Sequence, residues 1–408
     1  MGKLAGAMSV DVMRFIDYYV GVPLCFLAGI WLKFVRLLQK GRKGPAKRTV
    51  FLQLSEMGSA IVGDSALRWL RNQNVEIFYA IFERNAASLR MVGTVAQDHI
   101  YLIREKSPLL FAFDTFRFFI WCRVRRIDSA IDFELFSRYS ALLSAFSGAR
   151  ERVGFDSFHA EGLYRGDILT RRVAYNPHIH IAKNFMALVK SLMASEPDLP
   201  YFKGGISDEE IQPQKIAVNE SAKLRVRAKL KELGTADVDQ VKWVILNCAG
   251  GEFLPQRRWP QVHFAKLGQL ILDQNPDAHI LLTGSPSEAL EVEPIRILTA
   301  RDRCHNFAGR IAFEDLTSLY TFCRLMVSND SGPAHFASLT EIPTYVFFGP
   351  ETPALYGSLG NFTPLYANFA CSPCVSAFNH RKTPCQDNKC LQVISPETVY
   401  SKIAQHLM

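Results

Sequence analysis

The stretch Ser328-Asn329-Asp330-Ser331-Gly332-Pro333-Ala334-His335 decides the fold, and it follows an apolar run that ends in Leu325-Met326-Val327. The pattern predicts a buried strand that delivers an acid, a small polar residue and a glycine to the start of a helix. Because the first N–H groups of a helix lack intrahelical partners and its dipole favours an anion, this turn suits a phosphate or diphosphate. An ordinary helix cap by Asp330 or Ser331 is the structural alternative.

A second strand-like run, residues 342–348, ends in Gly349-Pro350. It places another loop at the carboxyl edge of the same sheet, where ligands bind in open α/β sheets. Together the two segments resemble glycosyltransferase family 9, the lipopolysaccharide heptosyltransferases, whose C-terminal domain carries a D-[ST]-G-x-x-H loop and a P-x-x-x-x-[FY]-G strand. The matching residues are Asp330, Ser331, Gly332, His335, Pro343 and Gly349.

The composition of the chain allows two domains and speaks against a nucleic-acid partner. Its 408 residues are 48% hydrophobic and 12% aromatic, which is enough for two buried cores. The formal charge of +8 is concentrated at one end, since residues 1–50 hold nine Lys or Arg and two Asp. The remaining residues are close to neutral, so the sequence predicts no basic face for DNA.

The N-terminal segment, residues 1–47, predicts association with a membrane surface. Residues 18–32 form an apolar run, and seven Lys or Arg follow it up to residue 48. A helix of that length covers about 22 Å, short of the roughly 30 Å hydrocarbon core, so an interfacial or re-entrant anchor and a full crossing both stay open. The basic residues predict a peripheral or monotopic protein at the cytoplasmic face of the inner (plasma) membrane. An amphipathic helix packed on the protein's own surface is the other alternative.

Strand-like and helical runs alternate on both sides of a Pro-, Gly- and acid-rich break at 196–213. Such alternation is typical of parallel sheets covered on both faces, so we predict an α/β protein with domains at 48–212 and 213–408. The predicted strands lie at 49–54, 75–82, 99–104, 129–132, 243–246, 279–282, 325–327 and 344–348. The predicted N-terminal helices lie at about 60–71, 109–125 and 137–146.

The resemblance supplies the name of this architecture, the GT-B fold, in which two Rossmann-like doubly wound domains face one another across the active site. It also implies a Gly-Asp pair after the first strand, whose Asp is the catalytic base. This chain has Gly58 and Ser59 there, and a serine hydroxyl is too weak a base. We expect Glu56 in the same loop to take the role, with Asp64 in the following helix as the second candidate.

The C-terminal domain offers groups for a departing diphosphate. Asn247-Cys248-Ala249-Gly250-Gly251 ends a strand, and glycines let a backbone approach a phosphate closely. Arg257 and Arg258 precede Trp259-Pro260, where the resemblance implies a phosphate-binding Lys or Arg, and the sequence does not choose between the two. Glu288 either matches an acid that contacts the ribose in the family or is a helix N-terminal charge.

Four of the nine cysteines lie in a Cys-rich loop at 371–390. Cys371, Cys374, Cys385 and Cys390 have a C-x2-C-x10-C-x4-C spacing that resembles a structural zinc site. Free thiols are the alternative, because a chain that faces the cytosol is not expected to hold a disulfide framework. No metal or other cofactor is expected to take part in the reaction.

The whole pattern predicts a membrane-associated, inverting glycosyltransferase of the heptosyltransferase type. Glu56, Arg257 and Arg258 are the predicted catalytic residues. The expected donor is a nucleotide-diphosphate sugar, with ADP-heptose as the family default, and the expected acceptor is a lipopolysaccharide or other lipid-linked glycan. A nucleotide-sugar-binding GT-B protein without catalysis, and a GT-B sugar-nucleotide epimerase or hydrolase, are the alternatives. The predicted substrate-binding residues are Gly58, Ser59, Asn247, Gly250, Glu288, Asp330, Ser331, Gly332 and His335.

Overall fold

A computed structural model describes residues 10–38, 45–156, 163–195, 205–217, 219–235, 237–250 and 254–408. The chain divides into two compact units, Met1–Ile211 and Gln212–Met408. This division falls beside the predicted one at residue 212, within a polar break of which 196–204 lie outside the described residues. Each unit is an α/β layer structure around one sheet.

The first unit is built on a six-stranded parallel sheet. Its strands are β1 (Arg48–Leu52), β2 (Glu76–Phe82), β3 (Ile100–Ile103), β4 (Ser129–Asp132), β5 (Glu151–Asp156) and β6 (Arg171–Ala174). Its helices are α1 (Val10–Tyr19), α2 (Gly21–Leu38), α3 (Met57–Val62), α4 (Asp64–Arg71), α5 (Ala86–Val92), α6 (Pro108–Val124), α7 (Arg138–Phe146) and α8 (Ile181–Met193).

The second unit repeats this plan with its own six-stranded parallel sheet. Its strands are β7 (Lys242–Asn247), β8 (Ala278–Thr283), β9 (Cys304–Asn306), β10 (Cys323–Asn329), β11 (Thr344–Phe348) and β12 (Phe362–Tyr366). Its helices are α9 (Glu220–Lys231), α10 (Gln261–Gln274), α11 (Ala289–Thr299), α12 (Leu316–Phe322), α13 (Gly332–Ala337), α14 (Pro353–Tyr356), α15 (Lys389–Gln392) and α16 (Pro396–Ile403).

The two sheets have the same strand order. In the first it is β3-β2-β1-β4-β5-β6, and in the second β12-β11-β10-β7-β8-β9. Numbered within its own unit, the second order becomes 6-5-4-1-2-3, which is the first one read from the other edge. Both are the doubly wound Rossmann order, in which the chain reverses direction across the sheet between the first and fourth strands.

The strands are apolar because helices cover both faces of each sheet. All five residues of β11 are buried, and so are the last four of β1. In the second unit the Trp259 ring stacks on Phe347 of β11 at 4.3 Å and meets Phe264 of α10 edge-on at 4.9 Å. Burial of such large side chains supplies most of the free energy that holds helices on a sheet.

The sequence patterns located most elements but missed several boundaries. The predicted single helix at about 60–71 is wrong: α3 begins at Met57, and the chain breaks at Gly63 before α4. Gly58 and Ser59, expected in a turn, therefore lie in the first turn of α3. The strands β5, β6, β9 and β12 were not among the predicted ones. These strands are short or lie toward the sheet edges, where alternation in the sequence is weak.

The helix α2 packs along the first unit. Its buried side chains form a cluster with α7 and the loop before β6: Cys25, Ala28, Leu32, Ala141, Ala145 and Ile168. A methyl group added at Gly21 would lie 2.8 Å from Cβ of Arg138, so the absence of a side chain allows this close helix contact. Residues 1–9 and 39–44 of the N-terminal segment lie outside the described residues.

Candidate functional site

The strand order directs attention to one place in each unit. Ligands of open α/β sheets bind beyond the carboxyl ends of the strands where the order reverses. In the first unit this is the end of β1 and β4, and in the second it is the end of β7 and β10. We refer to these two places as the first and second switch points.

Glu56 stands at the first switch point, directly before helix α3. It occupies the N-cap position, is partly buried, and its Oε2 accepts a hydrogen bond from Ser59 Oγ at 3.2 Å. The serine that stands where the family has its acid thus contacts the carboxylate that we expect to replace it. Gly58 is buried in the first turn of α3, two residues after Glu56, and as a glycine it contributes only its backbone.

Glu134 closes the same loop from the end of β4. Its Oε1 accepts hydrogen bonds from Leu54 N at 2.6 Å and Ser55 N at 2.9 Å, and both of its oxygens accept from Ser55 Oγ. Burial raises the pKa of the Glu134 carboxyl to about 7, although the two backbone bonds oppose the shift. Glu134 therefore holds the loop that carries Glu56. Glu134 was not among the predicted site residues, although it lies two residues after the end of β4.

Asp132 and Arg165 form a buried ion pair beneath this loop. Arg165 Nη1 lies 2.8 Å from Asp132 Oδ2, which also accepts from Ser140 Oγ. Burial raises the pKa of Asp132 to about 6 in spite of the guanidinium. The other candidate base, Asp64, is 2% exposed and pairs with Arg68 at 2.7 Å on the side of α4. Its carboxylate is committed to that pair, so Glu56 is the stronger candidate.

Asn247 links three strand ends at the second switch point. Its amide nitrogen donates to Ser328 Oγ and Ser331 Oγ, each at 2.9 Å, and its carbonyl accepts from Thr283 Oγ1 at 3.3 Å. The side chain is buried, so these partners satisfy polar atoms that would otherwise be costly. Asn247 thus fixes the carboxyl ends of β7, β8 and β10 relative to one another.

Asn329, the last residue of β10, positions the arginine loop. Its Oδ1 accepts from Trp259 N at 2.9 Å, and its Nδ2 donates to the carbonyl of Cys248 at 2.8 Å. Trp259 is buried, and its indole N–H donates to the carbonyl of Ile394. The sequence placed Asn329 inside the decisive octapeptide but gave no sign of this role.

Arg257 and Arg258 pair with different partners, although the sequence did not choose between them. Arg257 Nη1 lies 3.5 Å from Asp330 Oδ2, at the start of the strand-to-helix turn. Arg258 instead pairs with Glu291 of α11, with 2.7 Å between Nη1 and Oε1. Both side chains are less than a third exposed. Arg257 is therefore the arginine that joins the predicted anion site.

Two further residues complete a charged network around Arg257, and the sequence analysis missed both. Glu351, in the loop after β11, lies 3.7 Å from Arg257 and 3.0 Å from Arg381. Burial raises the pKa of the Glu351 carboxyl, while Arg381 acts in the opposite direction. Glu351 follows the Gly-Pro turn directly and could have been suspected, but nothing local connects Arg381 to the site. The Arg381 guanidinium also lies over the Tyr356 ring, 4.7 Å from its centroid.

The decisive octapeptide has the predicted strand-to-helix form. Asp330 is buried after β10, and Ser331 is the N-cap of α13, which begins at Gly332. Ser331 Oγ donates to the carbonyl of Asn329 at 3.1 Å, and no side-chain cap bond is made to the helix. His335 lies within the same short helix and is partly buried.

Gly250 and Glu288 have structural roles beside this site. A methyl group on Gly250 would lie 2.8 Å from Cγ of Arg258, so the glycine lets that side chain cross the backbone. Gly251 lies outside the described residues. Glu288 Oε2 accepts from Ser285 N and Ser285 Oγ, each at 2.7 Å, which forms a capping box. A contact between Glu288 and a ribose stays a prediction.

The Cys-rich loop supports the arginine loop through polar contacts. Gln256 Nε2 donates to the carbonyl of Cys385 at 3.0 Å, and Asn388 Nδ2 donates to the carbonyl of Arg258 at 2.8 Å. Arg381 comes from the same loop. Within the described ranges, no three His, Cys, Asp or Glu side chains are arranged to hold a metal ion. The structural zinc site at the four cysteines stays a prediction.

Comparison with known proteins finds one family that matches most of the chain. A model of glycosyltransferase family 9 (heptosyltransferase) matches residues 122–390. The lipooligosaccharide heptosyltransferase 2 of Haemophilus ducreyi is 35% identical over 112 residues, which are 26% of this chain and 32% of that protein. The chain thus spans about a third of the length of that curated relative.

Two solved structures resemble the chain over most of its length. The glycosyl transferase family 9 protein of Veillonella parvula has a TM-score of 0.70 at 18% identity, covering 90% of this chain and 99% of its own. The Escherichia coli ADP-heptose lps heptosyltransferase II has a TM-score of 0.64 at 19% identity, covering 88% and 98%. With the two doubly wound sheets, these likenesses confirm the predicted GT-B type of fold.

Proposed function

We propose, since this chain belongs to glycosyltransferase family 9 (heptosyltransferase), that it transfers a heptose from ADP-heptose to a lipopolysaccharide-type acceptor with inversion at the anomeric carbon. The observation that carries this proposal is the second switch point, where Arg257, Asn247 and the Ser331–Gly332 turn converge on a strand-to-helix edge. Donors of this kind, aimed at one edge, suit a diphosphate.

The proposed role of Arg257 is to stabilise the leaving diphosphate. Its contacts to Asp330 and Glu351, at 3.5 and 3.7 Å, are longer than the roughly 2.7–2.9 Å of a charge-assisted hydrogen bond. The two carboxylates orient the guanidinium without binding it at close range. A diphosphate oxygen carries developing charge as the bond to the sugar breaks, so an arginine placed there acts mainly in the transition state.

The proposed role of Glu56 is that of general base. It takes the proton of an acceptor hydroxyl, whose oxygen forms the new bond to the anomeric carbon of the heptose. The bond from that carbon to the diphosphate breaks, and ADP leaves with the electron pair. The sugar has oxocarbenium character in the transition state, as in glycoside hydrolysis. No redox partner is needed, and the proposed step uses protein side chains without a metal.

The donor and acceptor follow from the relatives' names together with the N-terminus. The similar E. coli enzyme is named for ADP-heptose and for lipopolysaccharide. A lipid-linked acceptor agrees with a chain whose first 50 residues carry most of its net positive charge beside an apolar run. We therefore propose action at the cytoplasmic face of the inner membrane.

A thermal-shift screen with ADP-, UDP-, GDP- and dTDP-sugars tests the donor. A ligand that binds only the native state raises its apparent stability, so ADP-heptose should raise the melting temperature and the other nucleotides should not. The variant Arg257→Met should lose this shift, and Arg258→Met serves as the matched control. A shift with another nucleotide alone would contradict the proposed donor while leaving glycosyl transfer standing.

A nucleotide-sugar-binding protein without catalysis is the second candidate, and Ser59 is the residue that favours it. The family resemblance implies an acid at that position, which this chain lacks. Mixing the protein with ADP-heptose and a heptose-free lipopolysaccharide acceptor distinguishes a transferase from a protein that only binds the donor. Release of ADP together with a heavier acceptor supports transfer, and tight donor binding without either product supports the non-catalytic candidate.

A further inference from the structure

We propose that α2 and α6 together form a docking face for an anionic phospholipid bilayer, and that the groove between them takes an acyl chain. This inference extends the membrane localisation proposed above and rests on it. The sequence directed attention to residues 18–32 alone, whereas α6 belongs to the sheet-covering layer of the first unit. Membrane contact is therefore built into the folded unit as well as into its N-terminal segment.

The first observation is the exposed side of α6. Five apolar side chains follow one another at helical spacing along its outer side, where a soluble helix normally carries polar residues. Phe116 is 64% exposed and Val124 is 72% exposed. The full set is Leu109, Phe113, Phe116, Ile120 and Val124.

The charges of α6 fit a negatively charged surface. Its single acid, Asp114, is buried and pairs with Arg104 at 2.7 Å, so no carboxylate of this helix reaches the outer side. Arg117 is exposed beside the stripe, with its guanidinium 5.6 Å from the centroid of the Phe113 ring, and Arg123 is exposed near the helix end. An apolar helix face whose own exposed charges are all cations is typical of helices that lie in a membrane interface.

The second observation is that α2 and the end of α1 before it are fixed along the unit. The segment Phe15–Leu37 is long and apolar enough to cross a membrane by length and composition. However, Asp17 at the end of α1 pairs with the buried Arg138 at 3.0 Å, and in α2 Cys25 is buried and Arg36 donates to the carbonyl of Ile168 at 3.2 Å. From Asp17 to Arg36 these contacts extend over roughly 28 Å of helical chain. A helix anchored in this way lies along the surface of the unit, with its other side outward.

The outward side of α2 is also apolar. Leu27, Trp31 and Phe34 are each more than half exposed. Lys33 is exposed at the border of this apolar side, where it pairs with Asp167 at 3.6 Å. The sequence after α2 adds Lys40, Arg42 and Lys43. Tryptophan beside basic residues is the composition found where helices meet headgroups.

The third observation is a groove of about 520 Å³ between α2, α6 and α7. Leu24, Leu27 and Trp31 line one wall, and Phe119 and Phe146 line the other. The hydroxyl groups at its base, Thr115 and Tyr139, bond to each other at 2.7 Å, so they do not require water. An apolar groove whose polar groups are satisfied within the protein favours a hydrocarbon chain over a polar ligand.

Vesicle flotation with the full chain tests the docking face. We expect the protein to float with phosphatidylcholine vesicles that contain phosphatidylglycerol, and to bind vesicles of phosphatidylcholine alone more weakly. The double variant Phe116→Glu and Ile120→Glu should lower the partition coefficient on the order of 100-fold, because two exposed apolar side chains no longer enter the interface. The matched control, Leu290→Glu with Ile297→Glu on the exposed side of α11, should bind as the wild type does.

Fluorescence quenching tests the groove. Vesicles whose acyl chains carry bromine should quench the emission of Trp31, and most of this quenching should disappear in Trp31→Phe. Wild-type flotation by the α6 double variant would overturn the role of α6, and failure of the wild type to float would overturn the whole inference. A dimer in solution that the α6 variant makes monomeric would instead assign the face to a second copy. The ADP-dependent thermal shift reports the donor site separately, so it should persist in every one of these variants.

Discussion

The two units share one strand order but present different chemistry where that order reverses. At the first switch point the charged side chains are mostly acids, Glu56, Asp132 and Glu134, with one arginine buried beneath them. At the second, Arg257 and Arg381 balance Asp330 and Glu351, and amide and hydroxyl groups line the strand ends beside them. The topology predicts where a ligand binds, and from the side chains there we propose an acceptor hydroxyl at the first switch point and a diphosphate at the second.

Both units also use a carboxyl group to position a neighbouring group. Glu134 is partly buried and binds the backbone of the Glu56 loop, whereas Glu351 is buried between Arg257 and Arg381. In both cases burial raises the pKa of the carboxyl. Burial favours the neutral form of such a group, which still accepts hydrogen bonds through its carbonyl oxygen, so each carboxyl can hold its neighbours in place.

The proposed division of roles assigns the general base to the first unit and the diphosphate site to the second. The variant expected to have the largest effect on activity is Glu56→Gln. Removal of a general base costs about 10²–10⁴-fold in rate, so turnover should fall about 1000-fold while ADP binding stays unchanged. Steady-state transfer assays together with ADP titrations measure the two quantities separately. Adding Ser59→Asp to this variant should restore part of the activity, because it returns an acid to the family position. Full activity of Glu56→Gln would remove Glu56 from the base role.

The next effect is expected from Arg257→Met, which removes the cation of the second switch point. We expect a loss of about 100-fold in kcat, similar to the loss of one preorganised donor to a developing anion. Arg258→Met should cost less than tenfold, because that arginine pairs with Glu291 on α11. Single-turnover rates with saturating donor make the comparison. Equal losses in the two variants would contradict the assignment of the anion site to Arg257.

A smaller effect concerns the pH dependence of stability. The pKa of Glu134 is about 7 in the folded chain, above its ordinary value, so the folded state binds more protons than the unfolded state between about pH 4.5 and 7. Stability from this group is therefore present at low pH and is lost as pH rises, by about 2 kcal/mol between pH 5 and 7. Glu134→Gln keeps the carbonyl acceptor and should remove this slope. Urea unfolding at both pH values measures it, and an unchanged slope would contradict the assigned shift.

The smallest effect is expected from Glu288→Ala, which opens the capping box at the second unit. Loss of such a cap costs about 1 kcal/mol of unfolding free energy. Ser285→Ala removes the same box from the other side, so the double variant should lose little more than either single variant. Thermal unfolding of Glu288→Ala, Ser285→Ala and the double variant gives the stability losses that a double-mutant cycle compares. Additive losses would show that the two residues act independently.

The sequence was informative where local chemistry and position along the chain coincide. The strand-to-helix octapeptide and Asn247 are recognisable because they lie at strand ends, and the Arg257-Arg258 pair is recognisable because it directly precedes Trp259-Pro260. The sequence could not show which of the two adjacent arginines joins the anion site. Their roles differ because the fold places Asp330 beside Arg257 and Glu291 beside Arg258. Arg381 reaches the site from a distant loop, and no local pattern indicates such a contact.

The helices show the same limit of prediction from the sequence. The apolar run of α6 was recognised as a helix, but which of its sides faces the core depends on the sheet that it covers. The N-terminal apolar run was recognised as well, whereas its docking depends on Arg138, more than a hundred residues away. The break at Gly63 was missed because both halves of that helix have helical patterns. Tertiary contacts decide these features, and a pattern along the chain does not contain them.

Calorimetric titration of ADP into the wild type, Glu56→Gln and Arg257→Met tests the division between the two units most directly. We predict equal affinity for the wild type and Glu56→Gln, and a loss of about 10-fold or more for Arg257→Met, because the proposed diphosphate site lies at Arg257 in the second unit. Equal ADP affinity in Arg257→Met and the wild type, or a loss confined to Glu56→Gln, would contradict it.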